Sequence, residues 1–228
     1  MENKEWADRI IRRVDPTFKH RWEVFNEIIL SKMNAETTWV DAGCGNNIMV
    51  EGFGGKNKYA VGVDVETPEQ TTAPFVKADL KKLPFEDNSA DLVTLRFVVE
   101  HLPSISEDFA DIVRVLKKGG EVVVLTTNLR CPFIFTARLI PFAIKNTLIQ
   151  KLFKVSDDDV FKTYHQLNSP AQFQRGIDGL KLKQLIFISD LNSTRKPVFL
   201  LFLAWHILTM PKFLHSFRMN ILGVYEKT

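Results

Sequence analysis

Apolar residues recur along this chain with two different periods, and the changes between them mark its elements. Over residues 5–33 the spacing is helical: Ile10, Ile11 and Val14 form one set, and Trp22, Phe25, Ile28 and Ile29 a second. Asp15-Pro16 separates the two predicted helices. Short apolar runs bounded by turn residues follow, predicting strands at 37–42 (TTWVDA), 59–65 (YAVGVDV), 75–78, 90–97 (ADLVTLRF) and 121–126 (EVVVLT). Between the last two, 109–117 reads as a helix stopped by Lys117-Lys118-Gly119-Gly120, a basic last turn followed by glycine. Beyond residue 127 the rhythm changes. Residues 131–154 predict two short amphipathic helices divided near Pro141, and 169–179 a helix capped by Ser169 with Pro170 at its first position. Residues 182–189 predict a strand, 197–210 an apolar helix between two prolines, and 220–226 a last strand.

Seven strands alternating in part with helices predict an α/β fold: a Rossmann-like, mostly parallel sheet with helices on both faces, plus helical insertions. With no repeat, linker or low-complexity segment, the chain reads as one domain. Its parts are N-terminal helices at 1–35, a core at 36–128, a helical insertion at 129–168 and C-terminal strands with an apolar helix at 169–228. A length of 228 residues with 45% hydrophobic and 25% charged residues suits such a globular domain.

Charge changes the picture. The net charge is only +3, yet residues 1–129 hold 16 basic against 21 acidic residues, and residues 130–228 hold 14 against 6. Eleven of the 18 phenylalanines also fall in that second part. A basic, Phe-rich half suits an anionic membrane surface or, equally, a solvated basic face around a larger core. The two cysteines, Cys44 and Cys131, make no disulfide framework, and the N-terminus lacks the apolar stretch of a signal peptide, so a cytoplasmic setting is expected, either free or, on the membrane reading of the basic half, peripheral at the membrane's inner face. The longest apolar run, 198–208, would be about 16 Å long as a helix, too short for a bilayer core of about 30 Å.

Candidate chemistry begins at Val40-Asp41-Ala42-Gly43-Cys44-Gly45, where the first predicted strand ends. Glycines at 43 and 45 permit a tight turn and close approach of a ligand to the backbone, although such a pair also occurs in ordinary strand-to-helix turns. Asp64 ends the second strand, where a carboxylate can accept from both hydroxyls of a ribose or merely cap the strand. Asp79-Leu80 ends the third. Asp79 can accept from an exocyclic adenine amine while the Leu80 N–H faces a ring nitrogen; the alternative is a helix cap.

Taken together, VDAGCG, GVDVE, ADLKKLPFEDNSADLVTLRFVVEHL and LKKGGEVVVLTTN resemble the successive motifs of class I S-adenosylmethionine-dependent methyltransferases, in order and at similar spacing. The resemblance is strong over 37–128 and weak over 164–190 and 219–226. It implies S-adenosyl-L-methionine as cofactor. It puts Asp41 near the cofactor's amino group, and Gly43 and Gly45 beneath its methionine and ribose portion. Asp64 would hold the ribose hydroxyls and Asp79 and Leu80 the adenine, with Arg96 and Phe97 lining the methyl-transfer cleft. One departure is Asn47, where the family often has a third glycine. Asn tolerates the left-handed conformation, so the turn survives, but 48–58, with Gly52, Gly54 and Gly55, reads as longer and looser than a standard first helix. An NAD-binding oxidoreductase would want its third glycine at position 48, which is Ile48.

Methyl transfer needs alignment and, for some acceptors, a base. The candidate bases are His101, just past the fourth strand, and His165, which lies with Tyr164, a further candidate catalytic residue, in a segment similar to one that closes over the acceptor site in some bacterial family members. His101 has a structural reading as well, and 161–169 also reads as a surface loop. Cys44 reads as a small packing residue, and no Cys/His cluster has metal-ligand spacing, so no metal is expected. The acceptor must be judged from 131–154 and 197–217, apolar stretches flanked by basic residues. They predict either a lid or an interfacial patch, and hence a small-molecule, glycan or lipid-linked acceptor. Without a dense basic stripe or a recognised module, nucleic acid is not an expected partner. A non-catalytic binding module and a peripheral membrane scaffold remain alternative readings of the same fold.

Overall fold

The computed structural model describes residues 2–139, 162–193 and 195–228. Its elements are α1 (Glu2–Val14), α2 (Arg21–Leu30), β1 (Thr38–Ala42), α3 (Ile48–Phe53), β2 (Tyr59–Asp64), β3 (Phe75–Lys77), β4 (Ala90–Arg96), α4 (Ile105–Val115) and β5 (Leu116–Thr127). They continue with α5 (Pro132–Leu139), α6 (Pro170–Arg175), β6 (Leu180–Ile188), α7 (Lys196–Leu208) and β7 (Asn220–Lys227). All seven predicted strands are present, in one sheet ordered β3-β2-β1-β4-β5-β7-β6, and the β1–β2, β1–β4, β2–β3 and β4–β5 ladders are parallel. The second helix expected in 131–154 lies outside the described residues.

Two expectations need correction. The 109–117 helix runs instead from Ile105 to Val115, and Lys117-Lys118-Gly119-Gly120 belongs to β5. Leu116 is fully buried and pairs with Ala90, so the chain turns extended as soon as the helix ends. The lysines and glycines then form an irregularity in the ladder, because the next partners are Leu92 and Glu121. Lys117 Nζ reaches both Asp91 oxygens at 2.8 Å, and Asp91 Oδ2 also accepts from the Thr38 N–H at 2.8 Å, tying that bulge to β1. The 169–179 helix is shorter than expected. Ser169 caps it, with Oγ accepting from the Gln172 N–H, but it stops at Arg175 where Gly176 turns to φ 83°.

Contacts group the chain into two compact units. One comprises Met1–Val24, Thr127–Lys162 and Phe187–Ile221. Its core gathers Ala7 and Ile11 of α1, Cys131, Leu191, Met219, and Phe199, Phe202 and Leu203 of α7. Aromatic edges fix the packing: Trp6 meets Phe199 at 5.3 Å, and Phe133 of α5 meets Trp205 at 5.3 Å. His206 is buried in the same unit, with Nε2 3.1 Å from Asp15 Oδ2 and its ring edge-on to Phe18. Burial holds this imidazole below its usual range, against the pull of Asp15.

The other unit comprises Phe25–Thr126, Thr163–Ile186 and Leu222–Thr228. Strands β1, β2 and β4 are apolar on both faces and almost wholly buried, as a parallel sheet covered by helices requires. Arg114 fastens the loop into β4, bonding Asp111, Asp87 and the carbonyls of Leu83 and Phe85. From β1 the chain winds outward through β2 to β3, then returns to β4 on the other side. The carboxyl ends of β1 and β4 therefore flank a reversal of strand order, where open α/β sheets bind ligands.

Candidate active site

At the end of β1 the backbone turns sharply. Gly43 and Gly45 both adopt left-handed φ, 72° and 55°, and the N–H groups of Gly43 and Cys44 donate to the Val63 carbonyl at 2.7 and 3.1 Å. The two glycines, alike in sequence, do different work. A Cβ on Gly43 would stand 2.2 Å from Val98 Cγ2, so its missing side chain lets the residues after β4 close on the loop. A Cβ on Gly45 would meet nothing within 4 Å, which leaves open space against the backbone. Asn47 is left-handed as expected (φ 58°) and wholly buried. Its Nδ2 donates to Thr71 Oγ1 at 3.0 Å and to the Pro74 carbonyl at 3.2 Å, pinning the segment before β3 to the turn. The stretch after it is a six-residue helix followed by a 3-10 turn at Gly54–Lys56, in line with the loose geometry expected there.

Four of the cofactor residues implied by the motifs are coupled. Asp64 Oδ2 accepts from the Gly45 N–H at 2.8 Å, and Oδ1 from the Glu66 N–H at 3.0 Å. Asp41 is 2% exposed, with Oδ1 accepting from Thr94 Oγ1 at 2.5 Å, and Thr94 in turn accepts from Trp39 Nε1 at 2.9 Å. Burial lifts the Asp41 carboxyl to about 6, with the Asp64 charge adding to the rise and the Thr94 bond and Arg96 opposing it. Asp79 is exposed at the neighbouring strand end and accepts from the Lys81 N–H on its own turn, beside buried Leu80. Cys44 is buried, and that burial, with Asp41 and Asp64 nearby, pushes its thiol up to about 12, so it packs rather than reacts.

Because its folded-state value lies above the ordinary 3.8, Asp41 keeps its proton longer in the native chain than in the unfolded one. Its contribution to stability is full below pH 3.8 and lost as pH rises through about 6. Asp41→Asn therefore stabilises the chain at pH 8 by on the order of 2–3 kcal/mol, a gain that shrinks as pH falls toward 4. Urea unfolding at several pH values measures this; a gain that does not vary with pH contradicts it.

The transfer side of the site follows β4. Phe97 has φ 58°, a conformation a bulky side chain rarely takes, and its N–H donates to the Leu125 carbonyl at 2.8 Å. Such strain concentrates where side chains must be aimed. His101 closes a 3-10 turn over Val99–His101. The preceding residue, Glu100, joins the candidate bases: its carbonyl accepts from the Tyr164 N–H at 2.7 Å and from the His165 N–H at 3.2 Å. The buried Glu100 carboxylate accepts from Thr126 Oγ1 at 2.5 Å, which accepts from Asn168 Nδ2 at 2.7 Å. The predicted catalytic residues His101, Tyr164 and His165 thus come together in the chain around one backbone carbonyl. Sequence reasoning missed the Glu100–Thr126–Asn168 network. Its only signal was a hydroxyl closing the apolar run of β5 and a carboxylate beside His101, with partners 26 and 42 residues away.

These residues suit an adenosyl cofactor. Beside the exposed backbone at Gly45, Asp64 at the end of β2 and Asp79 just past β3 offer the acceptors that a ribose and an adenine demand.

Residues 40–124 match the family model described as a methyltransferase domain. Over 121 residues the chain is 32% identical to a demethylmenaquinone methyltransferase from Staphylococcus epidermidis, covering 46% of this chain and 50% of that one. Over 51 residues it is 45% identical to a ubiquinone/menaquinone biosynthesis C-methyltransferase from Stutzerimonas stutzeri, covering 22% and 20% of the two chains. The chain thus spans about half the length of the first relative and a fifth of the second. An S-adenosylmethionine-dependent methyltransferase from Mesorhizobium loti superposes with a TM-score of 0.57 at 16% identity, over 90% of this chain and 97% of that one, a likeness of fold.

Proposed function

We propose, from the premise that this chain belongs to the class I S-adenosylmethionine-dependent methyltransferases, that it moves the cofactor's methyl group onto an apolar, lipid-linked acceptor of the quinone kind. The observation that carries the cofactor half is the bond from the Gly45 N–H to Asp64, made beside open space at the strand-order reversal. Gly45, Asp64, Asp79 and Leu80 hold the adenosyl part, and Asp41 faces the ammonium end. S-adenosylmethionine supplies, when bound, a methyl group already activated on a sulfonium. The protein's work is then to bind, align and exclude water; alignment of this sort supplies roughly 7–11 kcal/mol. Phe97, held at positive φ, and Arg96 border the space where the acceptor is presented. His101 or His165 takes up the proton it releases, with Tyr164 beside them, and the Glu100 carbonyl ties the Tyr164 and His165 backbones to the His101 turn. For the acceptor, support comes from the relatives, which methylate demethylmenaquinone or serve quinone biosynthesis by their names, and from the apolar, basic second part of the chain.

A protonated Asp41 must lose its proton when an ammonium group settles beside it. Binding of S-adenosylmethionine near pH 6 therefore releases protons, and affinity falls as pH drops below about 6. Calorimetry in buffers of different ionisation enthalpy reads that release directly; proton uptake, or none, counts against the assignment of Asp41.

The acceptor is tested with methyl-labelled S-adenosylmethionine and detergent-dispersed demethylmenaquinone, with a soluble glycan acceptor in parallel. Label entering the quinone supports the proposal. Label entering only the soluble acceptor, or neither, overturns it.

A further inference from the structure

We propose that the outward face of α7, together with the turn that follows it, docks on an anionic lipid bilayer. The sequence demands that this helix be covered, since it is apolar almost all round. Among the described residues only one side is covered. Phe199, Phe202, Leu203 and His206 face the core of their unit, while Leu200, Leu201, Ala204, Ile207 and Leu208 face outward. Those five positions recur at intervals of one, three and four residues, the spacing of a single helical face. They are not marginally accessible: Leu200 is 50% exposed, Leu201 51% and Leu208 56%, and Phe213 in the adjoining Lys212–Phe217 turn is 81% exposed. A continuous exposed apolar face of this kind marks an interaction surface.

The chemistry of the occupant follows from the charges around it. From Leu191 to Tyr225 the chain has no acidic residue, whereas exposed Arg195 and Lys196 stand at the start of the helix and exposed Lys212 follows it. A second copy of this chain would set those cations against their own counterparts, with no acid in the segment to meet them. An anionic headgroup layer answers both features at once, taking the leucines into the acyl boundary and the basic ends among the phosphates. At 13 residues the helix is about 20 Å long, short of the roughly 30 Å a bilayer core requires, and no helix among the described residues is long and apolar enough to cross a membrane. The face therefore lies along the surface. This reading goes beyond methyl transfer and does not depend on it, because docking needs neither cofactor nor acceptor.

The test is co-sedimentation of the whole chain with vesicles of equal parts phosphatidylcholine and phosphatidylglycerol at low ionic strength, against phosphatidylcholine alone. Binding to the anionic vesicles that weakens with salt is expected. Leu201→Glu/Leu208→Glu should lower vesicle partitioning by roughly tenfold or more, and Lys196→Gln/Lys212→Gln should weaken it and flatten its salt dependence. Both pairs sit on the exposed side or at its ends, and an unchanged circular-dichroism spectrum and urea unfolding midpoint show that the glutamate variant is folded. Three results overturn the proposal: no binding of the unaltered chain to anionic vesicles, binding indifferent to the two glutamates, or a dimer by light scattering that the glutamates dissolve while vesicles are ignored. None of these bears on the methyl-transfer assay, which is run in detergent.

Discussion

Gly43→Ala costs the chain about 2–5 kcal/mol of stability. Two terms add. A left-handed φ of 72° is unfavourable for any residue with a Cβ, at roughly 1–2 kcal/mol. The new methyl would also stand 2.2 Å from Val98 Cγ2, and forcing atoms into a packed site costs about 1–3 kcal/mol. Neither term is easily relaxed, because Gly43 is anchored by its N–H to the Val63 carbonyl at 2.7 Å. Urea unfolding followed by circular dichroism measures the loss. Adding Val98→Ala should return the packing part and leave the conformational part, so the double variant falls between the two. A Gly43→Ala chain as stable as the original would show that the loop does not close on Val98.

The second large effect falls on ligand binding. Asp64→Asn weakens S-adenosylmethionine binding by about 10- to 100-fold, because hydrogen bonds to a charged acceptor contribute roughly 1.5–3 kcal/mol each and the amide keeps only one acceptor oxygen. Asp64 is only half-buried, and an asparagine can still accept one of the two backbone N–H groups it holds, so unfolding should change far less than binding does. A loss of stability that matches the loss of affinity would instead make Asp64 a brace for the loop. An unchanged affinity would remove it from the site.

The contrast between these two positions shows what could be read in the chain beforehand. Strands β1, β2 and β4 were legible because burial on both faces writes itself as near-unbroken apolar runs, and the others as short apolar stretches bounded by turn residues. The left-handed turn at Asn47 was legible too, since few other residues take that conformation at little cost. What the two glycines do was not. Gly43 accommodates a valine 55 positions away in the chain, and Gly45 faces open space, a difference set by the register of β1 against β4. The Lys117–Gly120 stretch was misread as the end of a helix because a basic turn before glycine also suits a bulge, and only the pairing of Leu116 with Ala90 decides between them. The Glu100 network lay hidden for a similar reason: each member is unremarkable in its own segment. With α7, the sequence shows that both sides want cover, and only the folded chain shows which side has it.

The central claim is that residues 40–124 build an S-adenosylmethionine site at the end of β1. Calorimetric titration of S-adenosylmethionine into the whole chain tests it most directly, with S-adenosylhomocysteine and NAD as competitors. The result expected is a single site per chain, displaced by S-adenosylhomocysteine and untouched by NAD; the absence of binding heat, or displacement by NAD, would contradict it.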